Sequence, residues 1–545
     1  MTERQRLTLV ATILGSTVVF LDATVVNVAL PAISDDLDAG LAGQQWVVEA
    51  YLLTMVSLLL VGGSLGDQFG RRRIFVIGLI GFGVTSALCA IAPSDEFLVA
   101  ARALQGIAGA LLVPGSLAIV AATFDGEARG RAVGMWTAWT GIATVIGPAG
   151  GGALIALSWR WIFWVNIPLI IATAVITMRS VEESRDPDAV PGIDWVGIAL
   201  SAIGLGGPVF ALIEQPTYGW GDPLVAIPLL AGACSFGLFV VYEARAAHPM
   251  LDLSLFRIRN FAVANATTLT AYAGLIGGFF FIGLFLQQTA GYSPFEAGLA
   301  TMPLSVLLFV LSPRFGKLAS GTGPRLPMTV GPIVAGLGML LMIRIGSDAA
   351  YISEVLPAVL VFGLGLAATV APLTATVLDS VDERHVGIAS GINNGVSRVA
   401  GLMAIAVLGA VISAQFESGL DQRLAGVSLS PAAERAVDKA RSRPLGAAPT
   451  GRLDAAEAER VEGAVDDAST SAFHLGVGIC GALLIAGGLT SAAGIRNPRR
   501  KVGHRPAAVP RAATAGECGR APGFGDTEPV PGSLEPVPGA VEAPL

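Results

Sequence analysis

One acidic residue stands in the middle of the first apolar segment of this chain. Residues from about 7 to 30 form a stretch long enough to cross a bilayer as a helix, and Asp22 is the only charged residue in it. A carboxylate at that depth is costly, so it normally faces a bundle interior or a water-filled path and has a function there. Because a carboxylate can take up and release a proton, Asp22 is predicted to be the main proton carrier of a proton-coupled protein.

Two more ionisable residues are expected at a similar depth. At about 1.5 Å per residue, Asp22 lies roughly 21 Å from the membrane surface where its span begins. By the same rise Arg102, in the fourth span, lies roughly 22 Å from that surface. Glu49, near the start of the second span, falls within a few ångströms of this level. The depths predict an Asp22–Arg102 pair that serves proton coupling, with Glu49 nearby. The alternative is a structural ion pair with Glu49 at the water interface.

Small and polar residues on four spans predict a substrate pathway. In the fifth span, Pro148 removes a backbone donor and is expected to kink a glycine-lined face. In the thirteenth span, Arg398 is expected to face the interior. The candidate pathway residues are Asn27, Gln105, Gly141, Gly147, Pro148, Asn394 and Arg398. Packing alone also explains the glycines, structural pairing explains Arg398, and structural hydrogen bonding is the simpler role for Asn27.

Composition excludes several classes of protein. Hydrophobic residues make up 53% of the chain and charged residues 14%, and the mean hydropathy is +0.67, which is incompatible with an ordinary soluble chain. The net charge of −7 provides no basic surface for nucleic acid. The four cysteines and four histidines lack metal-ligand spacing, and no phosphate-binding glycine motif is present. The sequence therefore predicts no metal, no cofactor and no nucleotide hydrolysis.

The apolar runs predict an all-α polytopic membrane protein. Fourteen runs of about 18–28 residues are each long enough for a transmembrane helix. Arginines concentrate in one set of loops, which predicts that both termini are cytoplasmic. Residues 415–470 are predicted to be a long outer loop with short amphipathic helices near Pro431–Arg443 and Leu453–Asp467. Residues 495–545, rich in Pro, Gly and Ala, are predicted to be a disordered cytoplasmic tail.

An internal repeat organises the spans. The segment Gly63–Arg72 follows the second span and aligns without gaps with Gly316–Arg325, which follows the tenth. Ser320 replaces Asp67 in the second copy. The repeat predicts two six-helix halves, 1–180 and 259–494, with two inserted central helices in 181–258. Parallel halves of this kind are typical of secondary transporters with a site near the membrane midplane.

Several motifs resemble the major facilitator superfamily, in particular its fourteen-span drug:proton antiporters (the EmrB/QacA type). They are Leu21–Pro31 in the first span, Gly63–Arg72 in the loop after the second, Arg102–Gly106 in the fourth, Gly141–Gly151 in the fifth and Trp159–Pro168 at the entry to the sixth. These motifs occur in family order and on the expected sides of the spans. The resemblance implies the major facilitator fold, with a link between Arg102 and proton transfer.

The resemblance also implies the activity and its setting. It implies export of small amphipathic drugs or antibiotics in exchange for protons, by a monomer in the bacterial cell membrane. The cytoplasmic gating loop would comprise Gly63, Asp67, Gly70, Arg71 and Arg72. A fixed acid at Glu49 is not implied. A proton-coupled or passive transporter of an endogenous metabolite remains an alternative, whereas no residue cluster with catalytic spacing supports an enzyme.

Overall fold

The structure is a computed structural model that describes residues 1–497, except 186–193, 247–250, 252, 383–385 and 452. Within these residues the regular structure is helical, with no strand. The sixteen α-helices are α1 Glu3–Leu37, α2 Leu41–Phe69, α3 Arg71–Ala90, α4 Asp95–Thr123, α5 Gly126–Ile155, α6 Trp161–Trp164, α7 Asn166–Ser180, α8 Trp195–Tyr218, α9 Pro223–Glu243, α10 Arg259–Gln288, α11 Pro294–Thr322, α12 Arg325–Leu341, α13 Leu356–Asp379, α14 Val386–Leu424, α15 Pro431–Arg441 and α16 Ala455–Gly494.

Most of these helices can cross a membrane. Twelve helical segments of the described chain are long and apolar enough, with α6 and α7 together forming one of them. The helix α2 is a thirteenth if its two parts are taken as one span. Within the described residues, α5 has an apolar stretch only over Ile146–Ile155. The predicted all-α polytopic class is confirmed, and the count of fourteen spans stays a prediction.

Hydrogen bonds between helix ends distinguish the two ends of the bundle. Arg4, at the start of α1, donates from Nε to the Ser180 carbonyl at the end of α7 over 3.0 Å. Arg259, at the start of α10, donates from Nε to the Gly494 carbonyl at the end of α16 over 2.8 Å. We call this end the termini face. Arg160 donates to Asp36 at the other end, which we call the opposite face.

Small residues bring neighbouring helices close together. A Cβ atom at Gly62 of α2 would collide with the Ala110 carbonyl of α4, and one at Gly106 of α4 would collide with the Tyr51 carbonyl of α2. Glycine at such crossings is the usual solution in membranes, where packing replaces the hydrophobic effect as the force that joins helices. The α2–α4 crossing therefore depends on glycine from both helices.

Of the central pair α8 and α9, α8 packs against both neighbouring groups of helices. Phe210 of α8 contacts Trp46 of α2, with ring centroids 5.7 Å apart. Leu205 and Val209 of α8 share an apolar cluster with Leu402 of α14. The predicted boundaries at 180 and 258 fall at the end of α7 and just before α10. The division into halves and insertion remains a prediction, and residues 498–545 of the predicted tail lie outside the described residues.

The predicted outer loop 415–470 is shorter in the structure, because the helices on both sides extend into it. The helix α14 continues to Leu424 and α16 begins at Ala455. The amphipathic segment predicted at Pro431–Arg443 is α15, whereas Leu453–Asp467 mostly forms the start of α16. The mixed charge of this region masked an apolar stripe, in which Val461 and Val465 are buried in one cluster with Phe416. Packing on that stripe stabilises the longer helices.

Candidate functional site

Asp22 and Arg102 form an ion pair in the interior of the bundle. Arg102 donates from Nη1 to Asp22 Oδ2 over 2.5 Å. Only 2% of Asp22 and 1% of Arg102 is exposed. The two residues lie on α1 and α4, 80 positions apart in the chain. Truncating one partner of such a pair typically costs about 3–5 kcal/mol, because the other charge is left buried and uncompensated.

Amide side chains extend this pair into a network. Gln105 donates from Nε2 to Asp22 Oδ1 over 3.1 Å and to Ser86 Oγ over 2.9 Å. Asn166 donates to the same two oxygens over 3.2 Å and 3.1 Å. Asp22 thus accepts hydrogen bonds from three side chains on α4 and α7, which suits an ionised carboxylate because that group can only accept. We call Asp22, Ser86, Arg102, Gln105 and Asn166 the buried network.

The guanidinium of Arg102 is held from the other side by α2. Arg102 donates from Nε to the Val47 carbonyl over 3.0 Å. Its guanidinium carbon lies 4.3 Å from the centroid of the Tyr51 ring, a cation–π distance. Gly106, one turn along α4, lets α2 approach closely enough for these contacts. Through Arg102, the network therefore connects α1, α2 and α4.

Sequence reasoning missed Ser86 and Asn166. Both are fully buried polar residues. Asn166 belongs to the motif at the entry to the sixth span, so its position carried a signal. Ser86 is one small polar residue in an apolar helix, and nothing in the sequence indicated that it belongs to the site.

Glu49 does not join the buried network. Its exposure is 0%, and neither carboxylate oxygen has a hydrogen-bond partner among the described residues. Tyr51, two residues on, faces Arg102, and two residues turn a helix by about 200°. Glu49 therefore lies on the other side of α2. The expectation that Glu49 stands beside the pair is not met, and full burial also excludes a position at the water interface.

The candidate pathway residues divide into packing residues and open residues. Gly147 packs directly on Thr24 of α1, and Asn27 donates to the Ala23 carbonyl of its own helix over 3.0 Å. The Pro148 carbonyl lies against Gly298 of α11, where a Cβ atom would be 2.5 Å away. Gly147 and Pro148 therefore join helices, whereas Asn27 bonds within α1. Gly141 lies in α5 but outside the residues whose surroundings are described.

Asn394 and Arg398 of α14 are less enclosed. Asn394 is exposed and Arg398 half-buried. They are four residues apart, so they share one face of α14. Arg398 lies against α2, with Nη1 3.9 Å from Met55 Sδ. This face of α14 is accessible to solvent, whereas the buried network is not.

The loop between α2 and α3 is bound to the chain that follows α7. Gly70 has a φ of 113°, a conformation that favours glycine. Arg71 donates from Nε to Asp67 Oδ1 over 2.8 Å, and the Arg72 amide donates to Glu183 Oε1 over 3.0 Å. Glu183 thereby satisfies a free amide at the start of α3. Gly63, half-buried in α2, has ordinary contact with Pro114.

The equivalent loop in the second copy of the repeat has the same geometry. Gly323, aligned with Gly70, has a φ of 87°. The Arg325 amide, aligned with that of Arg72, donates to Asn497 Oδ1 over 3.0 Å. Asn497 follows α16 as Glu183 follows α7. Both loops are therefore fixed by a side chain that follows the last helix of their own group.

On the opposite face, the segment after α15 is tied to the ends of α1 and α2. Asp38 accepts from Lys439 over 3.1 Å and from Arg443 over 2.7 Å. The Leu41 amide donates to the Ser442 carbonyl over 3.1 Å. The hydrogen bond from Lys439, and then the charges of Lys439 and Arg443, hold the pKa of Asp38 below its usual value. We call these contacts the opposite-face tie.

Comparison with known proteins agrees with this architecture. Residues 12–405 match the family model described as Major Facilitator Superfamily. The chain is 37% identical over 426 residues to "Multidrug resistance protein Stp" of Mycobacterium tuberculosis, covering 78% of this chain and 79% of that one. It is 32% identical over 483 residues to the "Tetracenomycin C resistance and export protein" of Streptomyces glaucescens, covering 88% and 89%.

A solved structure shares the fold. The bacterial homologue of the human lysosomal transporter Spinster, crystallised in an inward-facing and unoccupied conformation, superposes with a TM-score of 0.62. The alignment covers 91% of this chain and all of that one, at 16% identity. The family match over most of the chain, the relatives above 30% identity and the shared fold place this chain in the major facilitator superfamily of transporters.

Proposed function

We propose that this transporter exports small amphipathic drugs or antibiotics across a bacterial cell membrane in exchange for protons. The observation that carries the proposal is the buried network, in which one ionisable carboxylate is held by Arg102 and two amides. The names of the relatives, among them a multidrug resistance protein and an antibiotic export protein, support the substrate class.

In the proposed mechanism, Asp22 carries the proton. As a carboxylate it balances the charge of Arg102. When it takes up a proton the pair loses its electrostatic attraction, and α1 and α4 are free to repack. Because interior packing is discrete rather than continuously deformable, a local change of charge favours one of two arrangements of the bundle. Switching between these two arrangements exposes the substrate pathway to one face of the membrane and then to the other.

The remaining residues have proposed roles around this centre. Asn394 and Arg398 face the substrate pathway. Asn27, Gln105, Gly141, Gly147 and Pro148 shape the helices that line it. The halves 1–180 and 259–494 move relative to one another as a monomer, with 181–258 as the insertion. The termini face is cytoplasmic, because arginines such as those of Arg71–Arg73 concentrate there.

The proton gradient alone supplies enough energy. One proton crossing about 100 mV releases about 2.3 kcal/mol, and one pH unit adds about 1.4 kcal/mol. At about 1.4 kcal/mol per tenfold ratio, one proton can hold a several-hundred-fold gradient of a neutral drug. We therefore expect accumulation in proteoliposomes under an imposed pH gradient, abolished by a protonophore. Accumulation that survives the protonophore, or that needs ATP, contradicts the mechanism.

A further inference from the structure

Two ionisable side chains between α2 and α14 lack a partner of opposite charge. Glu49 is completely buried, with both carboxylate oxygens unpartnered among the described residues. Arg398, half-buried, contacts the thioether of Met55 over 3.9 Å, a weak acceptor for a guanidinium. Within the described chain it forms no ion pair with a carboxylate. An acid and a base thus remain unpaired in one interface.

The register of α2 and α14 brings these two side chains to neighbouring levels. The helices run antiparallel, since α2 begins at the opposite face and α14 ends there. Gln45 donates from Nε2 to the Ile405 carbonyl over 2.7 Å, which aligns the two helices. Glu49 is one turn from Gln45 on the same face of α2, and its level corresponds to about Gly401 of α14. Arg398 lies three residues, or about 4.5 Å, from that level. Its contact Met55 is about 120° from Glu49 around α2, so Arg398 and Glu49 lie on either side of the contact between α2 and α14.

Burial determines whether Glu49 is protonated in this arrangement. A buried carboxylate with no partner is far more costly than a buried neutral acid, so Glu49 holds a proton here. Once it loses that proton it needs a cation. Of the charged groups on helices packed against α2, Asp22 and Arg102 already pair with each other, and Glu214 of α8 accepts from Trp46 over 2.8 Å. Among the described residues of these helices, Arg398 is the interior cation that remains without a carboxylate.

We propose that Glu49 is a second protonation site of this transporter, and that Arg398 pairs with it after deprotonation. The step is balanced: the carboxyl group releases its proton to water, and the carboxylate forms an ion pair with a guanidinium that keeps its charge. A change of the Arg398 rotamer and a rotation of α14 against α2 bring the groups together. The inference rests on the proposed proton coupling and adds a second site to it.

The first test uses Glu49→Gln, which imitates the neutral acid and so should fold. Purified wild-type protein should show an infrared band of a protonated carboxyl group that is absent from Glu49→Gln. In proteoliposomes the variant should move one proton fewer per substrate than the wild type. Thermal unfolding of both proteins checks the fold. An unchanged band or an unchanged proton stoichiometry would overturn the proposal.

The second test examines the pairing with Arg398. Because Arg398→Gln leaves ionised Glu49 without a cation, it should slow transport strongly. Adding Glu49→Gln to that variant should cause little further loss, since interacting residues give non-additive effects. Arg423→Gln, on the same helix but paired with Asp467 near the opposite face, is the matched control. Additive losses would show that Glu49 and Arg398 act separately.

The outcomes separate this inference from the proposed function. If Asp22→Asn abolishes proton flux while Glu49→Gln leaves stoichiometry unchanged, only the second site is wrong. If wild-type protein moves no protons with substrate, proton coupling itself is wrong.

Discussion

The interiors of the two helix groups differ in charge. In α1–α7 the central polar contacts form an ionic network around Asp22 and Arg102. In α10–α16 they are neutral: Asn393 donates to Asn265 Oδ1 over 3.2 Å and to Thr268 Oγ1 over 2.7 Å. A neutral network satisfies hydrogen bonds but does not change charge over ordinary pH. The difference supports the proposal that Asp22, in the first group, is the main proton carrier.

The two repeated loops show the same contrast at the termini face. Both have a glycine with positive φ and an amide bound by a side chain that follows the last helix of the group. The first loop also has an ion pair between adjacent turns, Asp67 with Arg71, and Ser320 takes the place of Asp67 in the second. The backbone geometry is therefore repeated, whereas this acidic residue is not.

The largest expected effect comes from removing the charge of Asp22. Asp22→Asn should abolish substrate-driven proton release, because the amide cannot carry the proton and Arg102 loses its counter-charge. Asn393→Ala, in the neutral network, should leave proton release per substrate unchanged even if turnover falls. Proton release is measured with a pH dye in proteoliposomes. Wild-type transport by Asp22→Asn would refute the assignment, and Asp467→Asn serves as an exposed control.

A smaller effect is expected from the amide of Asn166. Asn166→Ala removes one of three donors to Asp22 while keeping the ion pair. A hydrogen bond to a charged group contributes about 1.5–3 kcal/mol. We expect a clear loss of transport rate with proton stoichiometry retained. Equal loss of rate and of coupling would mean that Asn166 is required for proton coupling itself and does not only set the rate.

Next in size is the effect at the first loop. Asp67→Asn removes an ion pair between residues four apart, which contributes about 0.3–0.5 kcal/mol on a helix. Turnover should fall more than substrate affinity, because the loop is proposed to act as a latch in closing the cytoplasmic side. Asn497→Ala, at the second loop, is the comparison. A large loss of affinity at unchanged maximal rate would contradict the latch.

The smallest effect concerns the opposite-face tie. Because Lys439 and Arg443 lower the pKa of Asp38, the folded state favours its ionised form. The stabilisation is thus present above the pKa of the unfolded chain and is lost as pH falls through the folded value. We expect acid to loosen the segment after α15, detected as faster proteolysis between α15 and α16. In Asp38→Asn this acid dependence should be weaker, and an unchanged dependence would exclude Asp38 as its source.

Several parts of the site followed from the sequence alone. Hydropathy and length are local properties, so the spans, the depth of Asp22 and the matching depth of Arg102 could be predicted by counting residues. The loop repeat could also be recognised from the sequence, since glycine, arginine and small residues recur at fixed spacing. Each of these features depends on neighbours along the chain or on the fixed rise of a helix.

Tertiary structure decided which side chains meet. Depth placed Glu49 beside Arg102, but the rotation of α2 turns it toward α14, and counting along a helix does not reveal that rotation relative to its neighbours. Asn166 meets Asp22 because α7 packs against α1, and Ser86 joins the network because α3 packs against α4 and α7. Likewise α16 extends outward to Ala455 because Val461 and Val465 find an apolar partner in α14. A sequence states which groups are available at each level of the membrane, while packing determines the direction in which each one points.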